Sequence, residues 1–168
     1  MQASDNNRLN MNSKAVAMTL LIAAALLMLT CCQQRPVMAH AHFIDIPSNG
    51  WLSSAPLALQ PQYDDSATTY DLTLAVRHDI SYSYRNLSLA VDLIAADSVV
   101  TRKNVNLILA DPYGNWTGGG FGSLYQDTVT IASVIDPGDA RTVVVWPAMD
   151  GCDTLRGLIN IGLITRPL

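Results

Sequence analysis

Cys31 and Cys32 close an apolar run that ends Leu26-Leu27-Met28-Leu29-Thr30. A thiol placed there can pair in a disulfide or form a thioether with a lipid donor, and the flanking residues decide between them. The run from Ala15 to Thr30 holds sixteen residues without a charge and follows Arg8 and Lys14. A helix needs about 20 residues to cross the hydrocarbon core, so a permanent span is marginal. A cationic segment, a short apolar segment and then small residues describe a secretory signal peptide. Leu29 stands three before Cys32, with small residues between, which is the pattern that the bacterial lipoprotein pathway reads. Cys32 is therefore the expected lipid acceptor, carrying a diacylglyceryl thioether and, after cleavage, an amide-linked palmitate-class chain. Cys31 is the alternative acceptor, with Met28 and Leu29 before it. Ala39-His40-Ala41 would suit ordinary signal peptidase, but Arg35 and Pro36 separate it from the apolar run.

Other residues with chemical potential form no catalytic set. Cleavage before Cys32 and its acylation leave Cys152 alone, in an Asp-Gly-Cys-Asp turn with no neighbouring base to activate its thiol. His40 and His42 make an H-x-H pair without an evident third metal ligand. His78, between Arg77 and Asp79 at a strand end, reads as a solvated turn residue. The Asp64-Asp65 and Asp136-Pro137-Gly138-Asp139 clusters read as turns. The expectation is a protein that is not an enzyme and holds no metal or cofactor. Four segments, at Asp65-Ser66, Asp97-Ser98, Asp127-Thr128 and Asp153-Thr154, each followed by a small or apolar residue, resemble the O-glycosylation sequon of Bacteroidota. Chance in a Ser/Thr-rich chain explains them equally well.

The glycine-rich stretch Gly114-Asn115-Trp116-Thr117-Gly118-Gly119-Gly120-Phe121-Gly122 lacks the spacing of a phosphate-binding loop. It reads as a hairpin or bulged crossover, where absent Cβ atoms allow close approach. Tyr113, Trp116 and Phe121 around it could form an aromatic platform for a sugar ring or a partner protein.

The elements that must position these residues are strands. All fourteen acidic residues are Asp, which favours turns, whereas Glu favours helices. Tyr70 to Arg77 and Asn86 to Leu93 alternate apolar and polar residues with period two. His42 to Ile46, Val105 to Ala110, Tyr125 to Ile135, Thr142 to Trp146 and Gly157 to Thr165 complete the set. Pro56 to Ser66 reads as irregular. The spacing predicts an all-β antiparallel sandwich of about seven to eight strands, over residues 42–168, after a leader at 1–31 and a tether at 32–41. From Cys32 onward thirteen Asp face seven Arg and one Lys, so no nucleic-acid partner is expected.

Arg77, then Tyr82-Ser83-Tyr84-Arg85-Asn86-Leu87, then Gly114 to Gly120, then Leu155-Arg156-Gly157-Leu158-Ile159-Asn160-Ile161-Gly162-Leu163 resemble, in that order, the gliding-motility lipoprotein GldH family of Bacteroidota. The resemblance implies a lipid-anchored envelope protein, an accessory of the motility and secretion apparatus with unidentified envelope partners. Relatives often carry Met-Arg before the last strand, where this chain has Met149-Asp150. No acidic run follows Cys32, which suggests a periplasm-facing domain. An envelope glycan-binding module is the alternative.

Overall fold

The computed structural model describes residues 38–64, 67–96 and 98–168, the side chain of Val100 excepted. The expected leader, Cys31, Cys32, most of the expected tether, Asp65-Ser66 and Asp97 lie outside the described residues.

The described chain is all-β. Its strands are β1 (His40–Asp45), β2 (Trp51–Leu52), β3 (Leu57–Leu59), β4 (Tyr70–Asp79), β5 (Asn86–Ala95), β6 (Ser98–Ile108), β7 (Gly119–Phe121), β8 (Leu124–Ile135), β9 (Thr142–Pro147), β10 (Thr154–Leu155) and β11 (Leu158–Pro167). They pair antiparallel into a five-stranded sheet ordered β1-β11-β4-β8-β7 and a four-stranded sheet ordered β3-β9-β5-β6, with β10-β2 as a small ribbon.

Alternation in the long strands supplies the core. Leu72, Leu74 and Val76 of β4 and Ile161 and Leu163 of β11 meet Leu87, Leu89, Val91 and Leu93 of β5 and Val143 and Val145 of β9 in one buried cluster. Each such side chain contributes about 1.5–3 kcal/mol when removed from water. Trp51, on the short β2, joins this core and donates from Nε1 to the Ala55 carbonyl at 2.7 Å.

Small-residue packing governs the outer face of the first sheet. Phe43 of β1 sits opposite Gly162 of β11, where a Cβ would come within 2.3 Å of the ring. Arg77 stacks on that ring, 3.9 Å from its centroid, and donates from Nε to Gln126 Oε1 at 2.8 Å. Arg77 is thereby held within the sheet by stacking and a hydrogen bond.

The register defines two ends. The chain enters at His40, opposite Thr165. The other end, called the far end below, carries Asp45, Leu158, Asp79 and Leu124, the loop joining β4 to β5, and the segment from β6 to β8.

Candidate functional site

The four segments that set the order of this sequence converge at the far end. Leu155-Arg156-Gly157 comes first: Gly157, at φ +79°, would place a Cβ 2.4 Å from the Tyr82 backbone nitrogen, and its carbonyl accepts from Asp79 N at 2.9 Å. Only a residue without Cβ lets the Tyr82 turn pass so near. Tyr82 then turns inward and donates from its hydroxyl to the Asn86 carbonyl at 2.9 Å. Burial pushes its phenol well above the ordinary value.

His78 is the centre of this arrangement, and it is not a solvated turn residue. The strand β4 extends to Asp79, so period two carries His78 inward beyond Val76 while Arg77 and Asp79 point the other way. His78 is 0% exposed. Its ring centroid is 4.6 Å from Trp116, 5.6 Å from Tyr125 in a stacked arrangement, and 5.8 Å from Tyr82. Nδ1 lies 3.1 Å from the Asp79 carbonyl, which can only accept, so Nδ1 carries a hydrogen. Nε2 then faces Asp127 Oδ2 at 3.5 Å, and neither atom has a formed hydrogen bond.

Asp127 projects inward from β8 at the position opposite Val76. Burial raises its carboxyl above the ordinary range, while His78 and a hydrogen bond to Thr117 oppose that shift. Two lone pairs facing each other would repel, so the contact is satisfied by one proton between Nε2 and Oδ2. Gly118 covers the carboxylate: a Cβ there would lie 2.4 Å from Oδ2 and 2.7 Å from the Gln126 carbonyl. The glycine-rich stretch is thus a short hairpin, β7 to β8, drawn tightly over a buried acid–base pair. With no exposed surface, His78 presents nothing to a substrate in this conformation; the pair clamps the hairpin to β4.

The aromatic residues read as a platform occupy different settings. Trp116 is half-buried, and its ring contacts among the described residues are with His78 and Tyr125. Tyr113 and Phe121 stand out from two loop tips, 90% and 95% exposed. The Tyr113 tip is tightly closed: Asp111 Oδ1 accepts from Tyr113 N at 2.8 Å and Asn115 N at 2.9 Å, and Asp111 Oδ2 accepts from Asn115 Nδ2 at 2.9 Å. These bonds, led by that from the Asn115 side chain, lower the Asp111 carboxyl pKa. Phe121 precedes a Gly122-Ser123 turn in which Gly122 takes φ +65°.

An open cleft of about 410 Å³ lies at the same end, lined by Ser48, Asp79, Ser81, Arg156 and Leu158 among others. Asp79 is engaged there by Ser81, through N at 2.7 Å and Oγ at 2.6 Å. Arg156 makes no ion pair among the described residues.

The remaining sequence candidates are dispersed. His40 Nε2 lies 3.4 Å from Asp64 Oδ2, and His42 is exposed two residues further along β1. Cys152 is free and half-buried; its thiol meets the Thr154 carbonyl at 3.3 Å and the Tyr84 hydroxyl at 3.5 Å. Thr128 is exposed on β8, whereas Thr154 is half-buried in β10.

The family model described as GldH lipoprotein matches residues 38–164. A curated relative, the gliding motility lipoprotein GldH homolog of Christiangramia forsetii, is 26% identical over 106 residues, covering 58% of this chain and 65% of the relative. The chain thus spans about two-thirds of that relative, slightly less by the aligned share of 65%. Two solved structures show weak likenesses. A chain from Bacillus endospore appendages, disulfide-linked pili, is 13% identical at TM-score 0.28, over 82% of this chain and 96% of that one. A chain of the nora virus structure is 10% identical at TM-score 0.32, over 77% and 54%.

Proposed function

The chain belongs to the GldH lipoprotein family, and from that premise we propose that it is a non-catalytic accessory lipoprotein of the gliding-motility type, lipid-anchored through Cys32 and facing the periplasm, whose far end docks an envelope protein. The observation that carries this reading is the placement of Tyr113 and Phe121. Both rings are almost wholly exposed, on tips closed by tight turns, at the end of the sandwich opposite the entry of the tether. Exposed aromatic rings held in advance lose little conformational freedom on binding, which favours them as interface anchors. Arg156, without an ion pair, adds a directional donor at the same end.

The His78–Asp127 clamp fits this role, because it holds the hairpin that bears Phe121 in one position relative to β4. Anchoring would confine the domain to a bilayer and raise the local concentration of any partner there, so a modest interface would suffice.

The test is recovery of the full-length lipoprotein from membranes, with mass spectrometry of its N-terminal peptide and of co-purifying proteins. The expected result is an acylated Cys32 and an envelope protein that is retained by the native chain and lost with Tyr113→Ser plus Phe121→Ser. An unmodified Cys32 thiol in the aqueous phase, or equal retention by the double variant, would overturn the reading.

A further inference from the structure

The outer face of the four-stranded sheet carries a second arrangement that the far end does not use. Register places three cross-strand rows there. Val144 of β9, Asp92 of β5 and Arg102 of β6 form one row; Trp146, Ala90 and Asn104 form the next. Ser88 and Asn106 form the third. Ala90 stands between Trp146 and Asn104, a small residue beside the indole, and is 7% exposed.

Two polar groups on this face, Arg102 and Asn106, are held by hydrogen bonds. Arg102 donates from Nε and Nη2 to the two Asp92 oxygens, each at 2.7 Å, and its Cζ lies 5.8 Å from the Trp146 ring centroid. Asp92 is only 5% exposed, so its partner is held by a carboxylate that cannot move into water. Asn106 Oδ1 accepts from Asn86 Nδ2 and Ser88 Oγ, both at 3.1 Å, which leaves its Nδ2 as an outward donor. A groove of about 250 Å³ beside Trp146 is lined by Ser53, Ser54, Pro56 and Val144.

We propose that this face binds a neutral glycan chain, one sugar ring stacking on Trp146 while Arg102, Asn104 and Asn106 hydrogen-bond its hydroxyls. Three features select that ligand. An indole offers a flat π-face to the C–H side of a pyranose. The Asn106 amide and the Arg102 guanidinium are planar donors held in place before binding, with the exposed Asn104 amide beside them, which suits adjacent hydroxyls. The Asp92–Arg102 pair cancels its own charge, and Lys103, the neighbouring cation, reaches away to the Ile131 carbonyl at 2.6 Å, so an anionic ligand finds no free cation here. The groove continues the face past Trp146 and gives room for a second residue of a chain. This site is separate from the far end, so glycan binding and protein docking can succeed or fail independently.

The test is titration of the full-length lipoprotein in nanodiscs with cellohexaose, chitohexaose and mannohexaose, read by tryptophan emission and calorimetry. At least one hexasaccharide is expected to bind saturably. Trp146→Ala and the exposed Asn104→Ala should each weaken it by about tenfold, with native circular dichroism, while Phe121→Ser leaves it unchanged. Failure of all three sugars to bind, or wild-type affinity in folded Trp146→Ala and Asn104→Ala, would overturn the proposal.

Discussion

His78 Nε2 and Asp127 Oδ2 face each other 3.5 Å apart inside the sandwich, on the paired strands β4 and β8. The Asp79 carbonyl fixes the imidazole tautomer from behind, and Gly118 closes over the carboxylate from outside. A buried polar pair of this kind contributes through completeness, since a missing partner leaves the other group desolvated. Asp127→Asn, which can donate an amide hydrogen to Nε2, should therefore change stability by less than about 1 kcal/mol, whereas Asp127→Ala should cost about 1–3 kcal/mol. Urea unfolding of both variants checks the difference; equal losses would show that the pair holds no shared hydrogen.

The same pair predicts a pH dependence. Burial, the dominant cause, raises the Asp127 carboxyl in the folded state, so folding favours its protonated form. Its contribution is fully present below the ordinary carboxylate value of about 4 and is lost as pH rises through the elevated folded value. The wild type should therefore lose melting temperature relative to Asp127→Asn as pH is raised from about 4. A wild type that gains on the variant over that range would place Asp127 in water.

Glycines in the hairpin differ sharply in what surrounds them. A Cβ at Gly118 meets Asp127 and the Gln126 carbonyl, whereas one at Gly119 meets nothing within 4 Å. Gly118→Ala is expected to cost about 1–3 kcal/mol through displacement of the carboxylate, and Gly119→Ala to stay within about 0.5 kcal/mol. Thermal melts of the two single variants decide it, and a Gly118→Ala as stable as Gly119→Ala would disprove the close cover.

The long strands were legible because their periods are unambiguous. Leu87, Leu89, Val91 and Leu93 occupy every second position and all reach the core. The alternation from Tyr70 predicts a strand that stops at Arg77, which would leave His78 in solvent. Continuing the period from Leu74 and Val76 would have turned it inward, a signal masked by the charged neighbours that point outward. The irregular stretch expected from Pro56 contains β3, and the two-residue β2 begins at Trp51. Runs of two or three residues carry no period, so pairing across the fold creates them. Trp116 and Asp127 belong to one site through tertiary contact with His78, which local sequence does not encode.

Tyr113 and Phe121 are expected to be almost inert in folding. At 90% and 95% exposure, Tyr113→Ser and Phe121→Ser should each alter stability by no more than about 0.5 kcal/mol. Chemical denaturation of the double variant checks this, and a loss well above the summed range would mean that these rings support the fold.

Asp92 and Arg102 should respond asymmetrically. Asp92 is buried while most of the Arg102 side chain reaches water. Arg102→Met strands a carboxylate under the sheet surface, whereas Asp92→Asn lets the guanidinium hydrate, so the arginine variant should melt lower at neutral pH. Hydrogen bonds from Arg102, and secondarily its charge, lower the Asp92 carboxyl against the opposing effect of burial. Its contribution is accordingly present above about 4 and is lost as pH falls through the depressed folded value. On acidification from neutrality the wild type should therefore lose more melting temperature than Asp92→Asn, the reverse of the trend at Asp127. Parallel melting curves for wild type and Asp92→Asn between pH 7 and pH 2 would show that the bidentate pair is not formed in solution.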